Sequence, residues 1–260
     1  KQGLYSYKDL PLRLAEMTTL YRNELSGTLS GLTRVRAFAQ DDSHIFATQD
    51  QVKDEVAALL KKVAAVYEVF GMEIEQVTIG TKPESALGTK EEWEPAETAL
   101  KQALDEAGWK YEIEEGDGAF YGPKIDMRIK DVLGRYWQLA TIQLDFQMPQ
   151  RFNLEYVSND GTRKTPIVIH RAILGSFERF MAILIEQYDG ALPTWLSPVQ
   201  ATIVPVSEKQ NEFAEKVLAK IRSAIPGARV ELDVRSESMG KRIRESAKQK
   251  TPYILVVGDK

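Results

Sequence analysis

The spacing of apolar and polar residues changes several times along this chain, and each change marks a new kind of element. Residues 35–46 read as a strand, set off by the turn-forming Ser26-Gly27-Thr28 and Ser30-Gly31. Thr48 with Gln51 three residues later makes a capping-box start. Val52, Val56, Leu59, Val63, Val66 and Phe70 then recur at helical spacing, and Gly71 marks the stop. Thr89 and Glu92 announce a second helix that carries Trp93, Leu100 and Leu104 and ends near Gly108. Strand patterns follow at 111–115, 125–130, 136–146, 154–157 and 167–170, joined by short turns such as Ser158-Asn159-Asp160-Gly161. Successive strands without intervening helices predict an antiparallel sheet. Ile173, Phe177, Phe180, Met181, Leu184 and Ile185 predict a buried helix behind it.

The proline-bounded stretch Pro193-Thr194-Trp195-Leu196-Ser197-Pro198 reads as a domain boundary. Beyond it the order is strand (201–205), helix (208–225), strand (229–233), helix (239–249) and strand (253–257), the signature of a small parallel α/β sheet. The expected division is a first domain over 1–195 and a second over 198–260.

Composition narrows the class. The 260 residues are 43% hydrophobic and 28% charged, as in a globular protein rather than a disordered tail. No stretch approaches the ~20 apolar residues that a membrane-spanning helix needs, and no cleavable signal pattern opens the chain. The absence of Cys excludes disulfides and thiolate zinc fingers within these residues. A chain opening on Lys1 reads as an excerpt of a longer protein. The net charge of −4 hides an asymmetry: eleven acids face three bases between Glu84 and Asp117, whereas six bases face two acids between Arg235 and Lys250. The acidic stretch reads as a solvated helix face, and the basic one keeps a nucleic-acid partner open.

Several constellations could carry chemistry. Alternation puts Gln40, Asp42 and His44 on one face of the strand at 35–46, a costly grouping for a central strand unless a ligand uses it. His44 and His170, the only two histidines, both end predicted strands and could each ligate a metal, although a catalytic zinc normally takes three protein ligands. Arg22, Arg34, Arg36, Arg171 and Arg179 are candidate polyphosphate ligands, because guanidinium binds phosphate bidentately. Gly116-Asp117-Gly118 through Lys124 lacks phosphate-loop spacing and reads as a hairpin. These residues describe a polar cleft on an antiparallel sheet beside a basic domain; they name no reaction.

Arg22-Asn23-Glu24 followed by Arg34-Val35-Arg36-Ala37-Phe38-Ala39-Gln40-Asp41-Asp42-Ser43-His44-Ile45-Phe46 resembles the second signature motif of class II aminoacyl-tRNA synthetases, in the form specific for threonine. The likeness continues through Phe120-Tyr121-Gly122-Pro123-Lys124-Ile125-Asp126, Gln138, and Thr141-Ile142-Gln143-Leu144-Asp145-Phe146. It reaches His170-Arg171-Ala172 through Arg179-Phe180, which looks like the third motif. Residues 193–260 resemble the family's anticodon-binding domain. The fold so implied is an α+β antiparallel-sheet catalytic domain followed by a small α/β anticodon-binding domain.

The resemblance implies ATP-dependent activation of L-threonine and its transfer to tRNA(Thr) by a cytoplasmic homodimer, with magnesium accompanying ATP. Arg22 would hold the α-phosphate, Glu24 the adenine amino group, and Arg179 the far phosphates and the base; Arg34 would sit in the mobile loop of motif two. Gln40, Gln138, Thr141 and Gln143 would line the adenylate and amino-acid pocket, with Lys124 as a cation and Tyr121 and Asp42 reading threonine. A zinc ion reads the threonine hydroxyl in this family, and His44 and His170 match two of its ligands. The third, a Cys, and the dimer-forming first motif lie upstream of the matched segment. In the second domain Arg244 matches an anticodon contact, Ser236 stands where Asn is often found, and Lys241, Arg242 and Lys248 are candidate phosphate contacts.

Ala140 stands where the family commonly has Gly. Because Gln138 and Gln143 have opposite strand parity, both face one site only if a bulge lies between them. The alternative function is a non-catalytic synthetase-like module that binds RNA or nucleotide. A prolyl- or seryl-type relative is disfavoured by the paired histidines, which those specificities do not need.

Overall fold

The computed structural model describes residues 3–259 and divides into two units, Lys1–Leu184 and Ile185–Lys260. In chain order the first unit contains β1 (Tyr5–Ser6), β2 (Leu12–Glu16), β3 (Thr19–Tyr21), β4 (Ala37–Ala39), β5 (Asp42–Ala47), α1 (Val52–Val69), β6 (Ile74–Gly80), α2 (Lys90–Glu106), β7 (Glu112–Glu114), β8 (Lys124–Lys130), β9 (Tyr136–Asp145), α3 (Met148–Arg151), β10 (Tyr156–Val157), β11 (Arg163–Lys164), β12 (Ile167–Ala172) and α4 (Phe177–Gln187), whose last residues fall past the division. Seven strands form its main sheet in the order β2-β5-β12-β9-β8-β6-β7. Neighbours are antiparallel except at one edge, where β6 and β7 run parallel. The expected antiparallel sheet is therefore present, with β2 and β6 as members that the hydrophobic pattern did not announce.

The two faces differ because side chains alternate. Ile45, Ile169, Ile142, Leu144, Ile125 and Ile79 are buried, pointing one way. The first two predicted helices pack in this unit, and each begins at the predicted cap. Thr48 and Gln51 bond reciprocally ahead of α1, and Thr89 and Glu92 do so at α2. Val52, Val56, Leu59 and Val63 on α1 and Trp93, Leu100 and Leu104 on α2 are buried. Each fully buried aliphatic side chain contributes about 1.5–3 kcal/mol, so this face carries most of the cohesion. The polar residues are left for the opposite face.

Sequence expectations need correction at two places in this unit. The strand at 35–46 is two strands in two sheets: β4 pairs with β3, and β5 lies second from the edge of the main sheet rather than at its centre. The break falls at Asp41. Its carboxylate accepts hydrogen bonds from Arg171 Nη1 at 2.7 Å and from the backbone N–H groups of Ile173 and Leu174 at 2.9 Å each, which pulls the chain out of strand geometry. The helix expected from Ile173 begins at Phe177. Residues 173–176 instead form a turn with Gly175 at φ +70°, and the Tyr67 hydroxyl donates to the Ile173 carbonyl at 2.7 Å. Phe180, Ile183 and Leu184 are its buried residues, while Met181 and Ile185 are exposed.

The bulge is where strand parity requires it. Met127 pairs with Ala140 but Arg128 pairs with Gln138, so Leu139 is the extra residue on β9. Ala140 is fully buried and is not among the positive-φ residues, so the bulge needs no glycine there. Gly175 makes room for it: a Cβ at Gly175 would lie 3.1 Å from the Leu139 carbonyl oxygen.

The second unit holds β13 (Ala201–Pro205), α5 (Asn211–Ala224), β14 (Val230–Leu232), α6 (Met239–Lys248) and β15 (Tyr253–Val257). Its sheet, in the order β14-β13-β15, is wholly parallel, as the alternation of elements predicts. Ala201, Ile203, Ala214, Val230 and Val257 form the core.

Two outcomes test this packing. A Cβ at Gly122 would come within van der Waals collision of the Leu144 carbonyl, whereas one at Gly27 meets nothing within 4 Å. Gly122→Ala is expected to lower stability by about 1–3 kcal/mol in urea unfolding, with Gly27→Ala within about 0.5 kcal/mol of the parent. At the β8–β9 turn, burial works against the Asp131 carboxylate, but hydrogen bonds from Trp137, Arg135 and Leu133 outweigh it and hold the pKa at about 2. A depressed carboxyl stabilises the fold above its unfolded pKa and loses that contribution as pH falls toward 2. The stability gap between the parent and Asp131→Asn should therefore narrow steadily from pH 5 to pH 2.

Candidate functional site

The polar face is organised by register. Across four strands, His44 on β5 pairs with His170 on β12, His170 with Gln143 on β9, and Gln143 with Lys124 on β8. One pleat along, Thr141 pairs with Ala172 on one side and Asp126 on the other, and Asp42 lies on β5 two residues before His44. Six of the predicted residues thus share one face through backbone pairing alone.

Their side chains are tied together. Tyr121 donates to Gln143 Oε1, Gln143 Nε2 to Thr141 Oγ1 at 3.3 Å, and Thr141 Oγ1 to Asp126 Oδ1 at 2.7 Å. Asp126 then pairs with Lys124 at 2.7 Å, and Asp117 pairs with the same ammonium at 2.9 Å. Burial alone would lower the Lys124 pKa, but the two carboxylates raise it above its ordinary value. Burial, helped by Asp145 and Asp42, pushes the Tyr121 hydroxyl up to about 12, so it remains a donor across the physiological range. Asp126 and Asp145, both almost fully buried, were not singled out from sequence. The signal for Asp126 was present, since alternation puts it on the face of Lys124.

Next to this row lies a cavity of about 200 Å³ lined by Arg22, Glu24, Arg34, Gln40, Gln138, Thr141, Gln143 and Arg179, together with Phe38 and Leu139. Eight of the predicted site residues meet here. The bulge at Leu139 brings Gln138 to the same cavity as Gln143 despite their opposite parity. Arg22 lies over the Phe38 ring at 5.0 Å, and Arg34 pairs with Glu24 at 3.3 Å. Arg179 reaches the Thr33 carbonyl at 2.9 Å. Burial, and then the charges of Arg34 and Arg22, lower the Arg179 pKa from its ordinary value. Three guanidiniums share the cavity wall with a single carboxylate, an arrangement suited to a multiply charged anion. Arg36 donates to the Glu24 carbonyl, and Arg171 is committed to Asp41.

The two imidazoles stand edge to face, 4.7 Å between ring centroids. His170 Nε2 lies 3.0 Å from Asp145 Oδ2, the carboxylate contact that commonly orients a metal-ligating histidine. Burial pushes the His44 imidazolium below its ordinary pKa, against Asp42 and with the help of His170, which keeps a ring nitrogen free to bind metal. The donor chemistry thus fits two ligands of a zinc site. Among the described residues no group of three His, Cys, Asp or Glu side chains could hold an ion.

In the second unit Ser236 and Arg244 are exposed, the latter on α6. Lys241 pairs with Glu237 at 2.6 Å. Arg242 is not a surface cation: it is buried, and it donates to the carbonyls of Asp233 and Pro205 at 2.5 and 2.7 Å. Its position on α6 faces the sheet, which the charge pattern alone does not reveal. No helix among the described residues is long and apolar enough to cross a membrane.

Comparison with known proteins agrees with this geometry. Residues 1–188 match the tRNA synthetase class II core domain (G, H, P, S and T), and residues 200–260 match an anticodon binding domain. The chain is 51% identical over all 260 residues to the threonine–tRNA ligase of Clostridium tetani and 53% identical to that of Caldanaerobacter subterraneus subsp. tengcongensis. It spans 40% of the length of each. A crystal structure titled as the RNA binding domain of threonyl-tRNA synthetase from Cryptosporidium parvum superposes with a TM-score of 0.93 at 46% identity, covering 98% of this chain and 64% of that one. The sequence motifs, the sheet and the family match coincide over the same residues, and the chain belongs to the class II tRNA synthetase core family, G, H, P, S and T group, with a threonyl-type sequence and an anticodon-binding domain behind it.

Proposed function

We propose that this chain carries the adenylation site of a threonine–tRNA ligase, which activates L-threonine with ATP and transfers it to tRNA(Thr). The observation that carries the reading is the joining of two features: a cavity walled by Arg22, Arg34 and Arg179, and a row of hydrogen-bonding groups opening beside it. The catalytic domain is assigned to 1–195 and the anticodon-binding domain to 198–260. The parent protein is assigned as a cytoplasmic homodimer.

A threonine carboxylate oxygen attacks the α-phosphorus of ATP, forming the acyl–phosphate bond as the bond to pyrophosphate breaks. Such a displacement needs alignment and charge neutralisation more than covalent help. Arg22 neutralises the α-phosphate, Arg179 holds the terminal phosphates and the base, Glu24 takes the adenine amino group, and Arg34 closes over them from the loop. Gln40, Gln138 and Gln143 supply neutral hydrogen bonds to the adenylate, and magnesium arrives with the nucleotide.

Tyr121 and Asp42 read the amino and hydroxyl groups of threonine, supported by Thr141 and Lys124. This matters because a hydrophobic pocket separates threonine from valine poorly, whereas bonding the hydroxyl separates them well. His44 and His170 would hold a zinc ion, which supplies a Lewis-acid contact for that hydroxyl when bound. The third ligand must come from outside the described residues. In the second domain Ser236 and Arg244 face the anticodon, and the basic face of α6 supplies phosphate contacts.

Calorimetric titration tests the nucleotide half. Arg22→Ala and Arg179→Ala should each weaken ATP binding about tenfold or more, the loss expected for a charge-assisted contact, and should leave threonine binding within about threefold. Equal ATP affinity in both variants would rule the assignment out. Metal analysis combined with threonine and valine titrations tests the other half. Zinc-loaded protein should prefer threonine, and chelation or His44→Ala should abolish that preference while ATP binding persists. Full discrimination without zinc would remove the metal from the reading.

A further inference from the structure

Arg179 is the most enclosed of the cavity's three arginines, and its surroundings are unusual for a cation. Its guanidinium carbon lies 5.6 Å from the centroid of the Trp137 ring, over its face. A second guanidinium, that of Arg135, lies over the same ring at 5.4 Å. The indole is itself fixed, because Trp137 Nε1 donates to Asp131 Oδ2 at 2.7 Å. Asp131 also accepts from Arg135 Nε at 2.6 Å and from the backbone N–H groups of Leu133 and Arg135 at 2.9 Å each. The carboxylate is buried within the turn that joins β8 to β9. One ion pair therefore anchors an aromatic plane, and that plane lies against the arginine at the cavity.

Trp137 does not line the cavity and carries none of the roles assigned above. Its neighbours in sequence do: Gln138 follows it, and Arg179 Nη1 donates to the Gln138 carbonyl at 3.3 Å. The bulge at Leu139 begins one residue later. An arginine loses considerable side-chain entropy when a ligand immobilises it, and a contact that already restrains it removes part of that cost. A cation over an indole face is the strongest version of such a contact among the aromatic residues. An anion bound at Arg179 would meet a guanidinium already held by the ring and by the Thr33 and Gln138 carbonyls.

We propose that Trp137 is a positioning residue for Arg179: its indole, locked by Asp131, is a platform that holds the guanidinium in place for a nucleoside triphosphate. The proposal rests on the nucleotide reading of the cavity and adds a residue and a device to it. The platform acts on the phosphate and base side alone, so nucleotide and amino-acid binding should respond differently when it is removed.

The test uses the 260-residue chain and three variants, Trp137→Leu, Trp137→Phe and Asp131→Asn, each verified as folded by circular dichroism. In titrations with Mg·ATP, Trp137→Leu should raise the dissociation constant about tenfold, within the range of a desolvated cation–π contact. Threonine affinity should stay within about twofold. Trp137→Phe, which keeps an aromatic face but not the N–H, and Asp131→Asn, which keeps the indole but weakens its anchor, should each fall between the parent and Trp137→Leu. A separate readout needs no ligand: the Arg179 Nε–H resonance, identified by its loss in Arg179→Lys, should shift in Trp137→Leu as the ring current disappears. Unchanged ATP affinity in folded Trp137→Leu, an equal loss of ATP and threonine affinity, or an unmoved Arg179 resonance would each overturn the platform. A parent chain that fails to bind ATP would overturn the nucleotide reading, while the resonance would still decide whether Trp137 holds Arg179.

Discussion

The first unit depends on a backbone register that puts His44, His170, Gln143 and Lys124 opposite one another on four consecutive strands. Because side chains alternate, a one-residue slip of any of these strands would turn its polar residues into the helix-covered core and its Ile and Leu residues toward solvent. Burial of Ile45, Ile169, Ile142 and Ile125 on the far face opposes such a slip. The apolar face therefore aligns the polar one, and the chemistry of the cleft is a by-product of packing behind it. The alternation is broken by the bulge at Leu139, for which Gly175 provides the space, and the β6–β8 pairing shifts register between Ile74 and Gln76.

Charge is distributed unevenly over this face. Lys124 sits between Asp117 and Asp126, so its charge is already balanced, and through Asp126 it joins the hydrogen-bonded row of Thr141 and Gln143. Arg22, Arg34 and Arg179 have only Glu24 among the cavity walls, and burial, followed by the charges of Arg34 and Arg22, lowers the Arg179 pKa. A polyanion entering among these three guanidiniums would offset their mutual repulsion. Arg171 and Arg36 do not line this cavity: Arg171 pairs with Asp41, and Arg36 Nε donates to the Glu24 carbonyl.

Much of the fold was legible because local signals were strong. The capping boxes at Thr48 and Thr89 started helices where spacing said they should, and the strand–helix alternation after residue 198 specified a parallel sheet. The failures have physical causes. β2 and β6 are only partly apolar, and their pairing is decided by neighbours far away in sequence. The break at Asp41 depends on Arg171 and on backbone groups 132 residues along the chain. Arg242 looked like a phosphate contact by composition, yet helix phase buries it against the carbonyls of Pro205 and Asp233. Strand parity did supply one real deduction: if Gln138 and Gln143 share a site, a bulge must lie between them, and Leu139 supplies it. The roles of the individual site residues came from the family resemblance, since paired imidazoles and scattered arginines do not by themselves specify a substrate.

The most direct test of a single continuous site is binding of a non-hydrolysable threonyl-adenylate analogue, because it spans both halves and resembles the bound intermediate more closely than either substrate. Calorimetric titration of the chain with that analogue, followed by ATP, reads the outcome. One analogue bound per chain, more tightly than ATP or threonine alone and blocking ATP completely, is the predicted result. Normal ATP binding to analogue-saturated protein would mean that the arginine-walled cavity and the polar row do not form one adenylation site.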